Sequence, residues 1–220
     1  METYYFLDFD DVLFNTRAFV DDLIHACAPH GVSPQMWRET YAQRSSDVPG
    51  VHAPFTIVRF AQLLADRPDV SATAEELTAS MQSIMTKLPH YVFDDVIPVL
   101  ERMPTSRTYI LTYGDDTFQR TRVRDSGIAA CVADVFVTQE QKVHVLTEFL
   151  RHHQTVSASQ LVYADDRATY FAPVKELLPD VYTVLVTRPE RRYDDAPTPY
   201  CDAVVSDMLT VEREVVRTRK

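Results

Sequence analysis

Four short segments of this 220-residue sequence hold the side chains that could do chemistry together. The first is Asp8-Phe9-Asp10-Asp11-Val12-Leu13, three carboxylates in four positions straight after the apolar run Tyr4 to Leu7. Asp8 and Asp10 are two apart and share a face if extended geometry persists. Their mutual repulsion then asks for a cation, and Mg2+, a hard ion that prefers oxygen ligands, suits them. A solvated acidic loop is the competing reading of the segment alone. The second is Tyr109-Ile110-Leu111-Thr112-Tyr113-Gly114, where an apolar run closes on a hydroxyl. Thr112 and nearby backbone N–H groups could donate to phosphoryl oxygens if Gly114 lets the chain curl into an anion-holding turn, although a Thr closing a buried strand is more often structural. The third is Lys142, near the start of a helical stretch after the run Val132 to Val137; an isolated Lys is ordinarily solvated surface. The fourth is Leu161-Val162-Tyr163-Ala164-Asp165-Asp166-Arg167, whose acids could complete a metal site or cap a helix beginning near Arg167.

The elements that must position these residues are legible as strands and helices. Strands rich in β-branched and aromatic residues are expected at Tyr4 to Leu7, Thr108 to Leu111, Val132 to Val137, Leu161 to Tyr163 and Tyr182 to Val186. Helical spacing lies between most of them: Val96, Leu100 and Met103; Phe118 to Asp125, stopped by Gly127; Val143, Leu146, Phe149 and Leu150; Phe171, Val174, Leu177 and Leu178. The alternation implies an α/β domain, a Rossmann-like parallel sheet with helices on both faces. All four segments then fall just beyond a strand, along one rim of one sheet, where open α/β sheets bind ligands. One interval of about 75 residues is far longer than a crossover needs. Within it Ala18 to Cys27, Gln35 to Gln43, Phe55 to Leu64 and Ala74 to Leu88 look helical, punctuated by Pro34, Pro49, Pro54 and Pro68. Residues 17–90 are therefore expected to form an inserted helical domain, with 1–16 and 91–220 forming the α/β core.

Composition narrows the partners. A net charge of −10 repels a phosphate polymer, so a nucleic-acid partner is not expected, whereas a small phosphorylated ligand needs only local positive charge. Three widely spaced cysteines form no Cys-x-x-Cys, and neither a signal-like start nor an apolar run of membrane-spanning length is present, which leads us to expect a cytoplasmic protein without a membrane partner. His25, His30, His144, His152 and His153 offer no metal-ligand spacing. The oligomeric state is left open.

Taken in order, Asp8 to Leu13, Leu111-Thr112, Lys142 and Tyr163-Ala164-Asp165-Asp166 resemble the four motifs of the haloacid dehalogenase-like hydrolases, with a helical cap between the first and second. The resemblance spans nearly the whole chain. It departs from the family at Asp11, where many relatives have Gly, at Asn15, where many have an acid, and at Ala164, where Gly is usual. It implies a Mg2+-dependent phosphatase in which Asp8 attacks phosphorus and Asp10 first protonates the leaving oxygen and then accepts a proton from water. Thr112, Lys142 and the N–H groups of Phe9 and Tyr113 would hold phosphoryl oxygens. Asp8, the Asp10 main-chain carbonyl and the Asp165–Asp166 pair would hold the metal, with Asp165 favoured over Asp166 as the direct ligand. Arg38, Tyr41, Arg44, Arg59 and Trp37 in the insert are candidate substrate contacts. The rivals are a phosphomutase or phosphotransferase on the same scaffold, a phospho-ligand-binding protein without activity, a 2-halo acid dehalogenase, and a receiver-type phospho-acceptor, whose motif order differs.

Overall fold

The computed structural model describes residues 2–43 and 53–218. Six parallel strands form its sheet: β1 (Tyr4–Leu7), β2 (Thr108–Tyr113), β3 (Asp134–Thr138), β4 (Leu161–Asp165), β5 (Tyr182–Val186) and β6 (Ala203–Val205). Their order is β3-β2-β1-β4-β5-β6, with β1 pairing β2 on one side (Leu7 beside Ile110) and β4 on the other (Leu7 beside Ala164). A parallel sheet covered on both faces requires strands that are apolar throughout, and β4 is buried at all five positions.

The helices are α1 (Thr16–Cys27), α2 (Pro34–Ala42), α3 (Ile57–Ala65), α4 (Ala74–Met85), α5 (Val96–Leu100), α6 (Asp116–Asp125), α7 (Lys142–His152), α8 (Phe171–Leu177) and α9 (Met208–Thr218). None is long and apolar enough to cross a membrane. Chain contacts divide the protein into two units, Met1–Arg17 with Tyr91–Lys220, and Ala18–His90. In the first, Phe6, Tyr109, Leu111, Tyr163 and Leu185 of the sheet pack with Val143, Leu146 and Phe149 of α7 and Phe171 and Val174 of α8. In the second, Phe60 of α3 meets Trp37 edge-on at 4.5 Å and Phe55 at 5.1 Å.

Several boundaries differ from the sequence pattern because capping overrides periodicity. Ser33 accepts from the Met36 N–H and starts α2 at Pro34, a residue earlier than the apolar spacing suggests. Thr56 caps α3 so that it begins at Ile57 rather than Phe55. Asp115 accepts from the Phe118 N–H at 2.9 Å and starts α6 at Asp116. The third strand begins at Asp134, not Val132, since a 3₁₀ turn (Ile128–Cys131) after Gly127 at φ +89° occupies the approach. Three-residue β6 is too short for its alternation to register in the sequence. Pro49 and Arg44 lie outside the described residues.

Candidate active site

β1, β2 and β4 are neighbours in the sheet and run in the same direction, so Asp8, Thr112 and Asp165 emerge along one rim. Lys142, the first residue of α7, is drawn between them. Its ammonium donates to Asp8 Oδ1 at 2.7 Å and to Asp165 Oδ2 at 2.6 Å, and it lies 5.0 Å from the centre of the Tyr170 ring. A cation at a helix N-terminus opposes the helix dipole, and burial at 3% exposure strips its water. The two carboxylates outweigh both costs: burial alone would lower the Lys142 pKa, but Asp165 and Asp8 drive it above the ordinary lysine value.

The acids differ in what their oxygens already hold. Asp165 Oδ2 receives Lys142 and the Tyr163 hydroxyl, and Oδ1 receives the Arg167 N–H at 2.9 Å. It both caps the following turn and anchors the lysine. Asp166 is 3% exposed and its Oδ2 has no hydrogen-bond partner. Asp8, Asp165 and Asp166 each offer an oxygen within 4.8 Å of the others. Burial, reinforced by Asp8 and Asp165, pushes the Asp166 carboxyl up to about 9. Burial likewise pushes Asp8 up to about 8, Lys142 pulling it down while Asp165 and Asp10 push it up. Buried carboxylates that resist ionisation together, one with an orphaned oxygen, are the donor set a hard dication relieves, and Mg2+ fits this chemistry. Among the described residues no group donates to the Asp10 main-chain carbonyl.

Asp10's side chain stands outside that cluster, gripped by α6. Arg122 donates from Nη2 to Oδ1 at 2.7 Å and from Nη1 to Oδ2 at 3.2 Å; Gln119 donates to Oδ2 at 3.0 Å and Thr16 to Oδ1 at 2.5 Å. Burial would raise this carboxyl, but Arg122 and Arg192 hold it well below the usual range. Arg122 is 3% exposed, its guanidinium carbon 4.9, 4.6 and 5.5 Å from the centres of Phe9, Phe14 and Phe118. Asp11 is the one non-glycine with positive φ (57°) among the described residues, and its Oδ2 accepts from Arg192 Nε at 2.7 Å. Arg188 donates to the Val12 carbonyl at 2.8 Å and pairs with Asp95 at 2.9 Å. The segment after β5 thus pins the loop after β1 with two arginines.

Thr112 is 1% exposed and its oxygen accepts from Gln119 at 3.0 Å. Tyr113 closes β2 beside Thr138, its carbonyl also accepting from Gln119 at 3.0 Å. The Phe9 N–H makes no hydrogen bond among the described residues, while the Phe9 carbonyl accepts from Leu13 and Phe14. Asp8, Thr112, Lys142, Asp165 and Asp166 are brought to one rim. In the helical unit Arg38 and Arg59 are exposed, Tyr41 packs on Phe55 and Phe60, and Trp37 is a 2% exposed core residue.

Sequence reasoning missed Gln119, Arg122, Tyr163, Arg188 and Arg192. Three of these left a signal. The face of α6 that must meet the core carries Gln119, Arg122 and Val123, with Ser126 at its C-cap, and polar residues at core-facing positions imply a buried network. Tyr163 precedes Asp165 by two, hence shares its strand face.

No protein-family model matches the sequence, and no curated protein matches it. Solved structures do. The chain is similar to YfnB of Bacillus subtilis, described as a HAD-hydrolase bound to magnesium (14% identity, 98% of this chain and 99% of that one, TM-score 0.68). It is similar to a defluorinating L-2-haloacid dehalogenase (12%, 98% and 95%, TM-score 0.69) and to a Clostridium difficile protein described as a phosphatase (12%, 98% and 100%, TM-score 0.59). At such identities the likeness establishes the fold.

Proposed function

We propose that this chain, whose fold is that of the haloacid dehalogenase-like hydrolases, is a Mg2+-dependent hydrolase of a small phosphorylated metabolite, working through an aspartyl phosphate on Asp8. The observation that carries the reading is the Lys142 ammonium on Asp8 at 2.7 Å, beside a carboxylate cluster with an open Asp166 oxygen.

Asp8 attacks in line: an Asp8 oxygen bonds to phosphorus, the bond from phosphorus to the substrate oxygen breaks, and that oxygen takes its proton from Asp10. Water then attacks phosphorus, gives a proton to Asp10, and frees Asp8 and inorganic phosphate. Because both oxygens of Asp10 are engaged and Arg122 and Arg192 keep it ionised, it takes up the proton it donates only once the bound phosphoryl group, whose negative charge raises the carboxyl, displaces the Thr16 hydroxyl from Oδ1, with Arg122 and Gln119 staying in place. Lys142, the Thr112 hydroxyl and the Phe9 N–H hold phosphoryl oxygens where charge gathers in the transition state, as does the Tyr113 N–H. Asp8, the Asp10 carbonyl and Asp166 would hold Mg2+, which when bound would supply neutralisation of the charge gathered at the reacting phosphoryl group. Asp166 replaces Asp165 as the favoured acid, since Lys142, Tyr163 and the Arg167 N–H already occupy Asp165 while Asp166 Oδ2 is unpartnered. Unit 18–90 acts as the cap that contacts the rest of the substrate.

Dehalogenation is the rival chemistry on this fold, and a departing halide needs no protonation, which leaves Asp10 without a task. A panel of phosphorylated metabolites and 2-halo acids, assayed with Mg2+ and with chelator, separates the two. Phosphate release that requires Mg2+ and vanishes in Asp8→Asn and Asp10→Asn is expected. Halide release without metal, or wild-type rates in Asp8→Asn, overturns the assignment. Transfer of the phosphoryl group to a hydroxyl of a second metabolite without release of inorganic phosphate would instead identify a phosphotransferase.

A further inference from the structure

We propose that Gln119 and Arg122 of α6 are positioning residues that aim the Thr112 hydroxyl at the phosphoryl group; this rests on the reading of Thr112 as a phosphoryl-oxygen donor. A threonine hydroxyl has one proton and two acceptor lone pairs, so its direction is undetermined until a neighbour takes one role. Gln119 Nε2, which only donates, lies 3.0 Å from Thr112 Oγ1. The threonine oxygen therefore accepts at this contact and keeps its own proton for another partner. Among the described residues no acceptor takes that proton.

The argument depends on which end of the Gln119 amide faces Thr112, and the structure leaves one choice. Gln119 Oε1 sits 2.7 Å from Arg122 Nη1, a group that can only donate, so the amide cannot turn round without setting N–H against N–H. Arg122 is fixed by its fork on Asp10 and by the faces of Phe9, Phe14 and Phe118. Gln119 and Arg122 are both 3% exposed, so water does not compete for these contacts. Orientation thus passes from Asp10 of the first motif through Arg122 and Gln119 to Thr112 of the second. The two protons of Gln119 Nε2 are shared among Asp10, Thr112 and the Tyr113 carbonyl, each at 3.0 Å, which ties the β1 and β2 loops together. Gly114 makes room: a Cβ there would come within 2.9 Å of Gln119 Cγ, on a residue at φ +152°. Glycine at this turn thus serves the glutamine's close approach as well as the backbone.

The experiment measures inhibition by orthovanadate, a mimic of the phosphoryl transition state, in the full chain with Mg2+, beside Mg2+ affinity by calorimetry. Gln119→Met is expected to weaken vanadate about tenfold and lower kcat about tenfold, with Mg2+ affinity unchanged and KM shifted less than kcat. Thr112→Val should lose at least as much, and the double variant Gln119→Met/Thr112→Val no more than Thr112→Val alone. Wild-type vanadate inhibition in Gln119→Met, or losses that add in the double variant, overturns the proposal while leaving the enzymatic reading intact. Failure of the wild type to respond to vanadate sinks that reading and this one with it. Should Gln119→Met not fold, Arg122→Lys, which keeps a charge on Asp10 but gives up the fork that sets the amide, carries the same test.

Discussion

The loops after β1 and β4 each present two adjacent aspartates, and in each pair one member is saturated while the other has a bare oxygen. Asp10 and Asp165 have both oxygens occupied; Asp11 Oδ1 and Asp166 Oδ2 have no hydrogen-bond partner. The cations that do the saturating differ. Arg122 offers a planar fork that satisfies both oxygens of one carboxylate, whereas Lys142 is a point charge that ties Asp8 to Asp165. An arginine fork fixes one acid's orientation; a lysine sets the distance between two. The β4 pair therefore gathers charge around Asp8, and the β1 loop holds the Asp10 side chain apart from it, which suits the proposed roles of nucleophile and proton carrier. The open oxygens differ as well: Asp166 faces the acid cluster, while Asp11 is tethered to Arg192 in a left-handed backbone.

Removing the lysine should break the comparison most severely. Lys142→Met leaves Asp8 and Asp165 buried without their shared counter-charge, and we expect a loss of about 3–5 kcal/mol in Mg2+-free urea unfolding together with loss of turnover. Arg122→Met should cost somewhat less, about 3 kcal/mol, because Asp10 keeps Gln119 and Thr16 and its side chain is 18% exposed; a larger loss than Lys142→Met would reverse the ranking. The open and saturated members of the β4 pair separate by calorimetry: Asp166→Asn should weaken Mg2+ about a hundredfold and Asp165→Asn less than about tenfold. Equal losses would erase the distinction. At the β1 loop, Asp11→Ala should be less stable than Asp11→Gly by roughly 1 kcal/mol, since both lose the Arg192 contact and only the left-handed preference differs.

The fold was largely legible because its evidence is local. Apolar strands alternate with helical spacing, and each acid, hydroxyl or lysine stands immediately past such a run, so a parallel sheet brings Asp8, Thr112, Lys142 and Asp165 to one rim without further information. The unread parts are those with no local signature. Residues 203–205 are too few to alternate, and arginines 188 and 192 look like any solvated loop cations until the segment after β5 folds back on Asp11 and Val12. The polar inner face of α6 reads as a poor helix, and only its docking turns Gln119 and Arg122 into a buried network.

What the sequence determined by itself was which groups stand at strand ends and in what order, because strand length and the direction of the chain settle that within a few residues. What tertiary structure alone decided was the division of labour among like side chains. Asp10 meets an arginine 112 residues away, and Asp8 a lysine 134 residues away. Whether a carboxylate is saturated or open depends on those distant donors and on how far burial excludes water from competing with them.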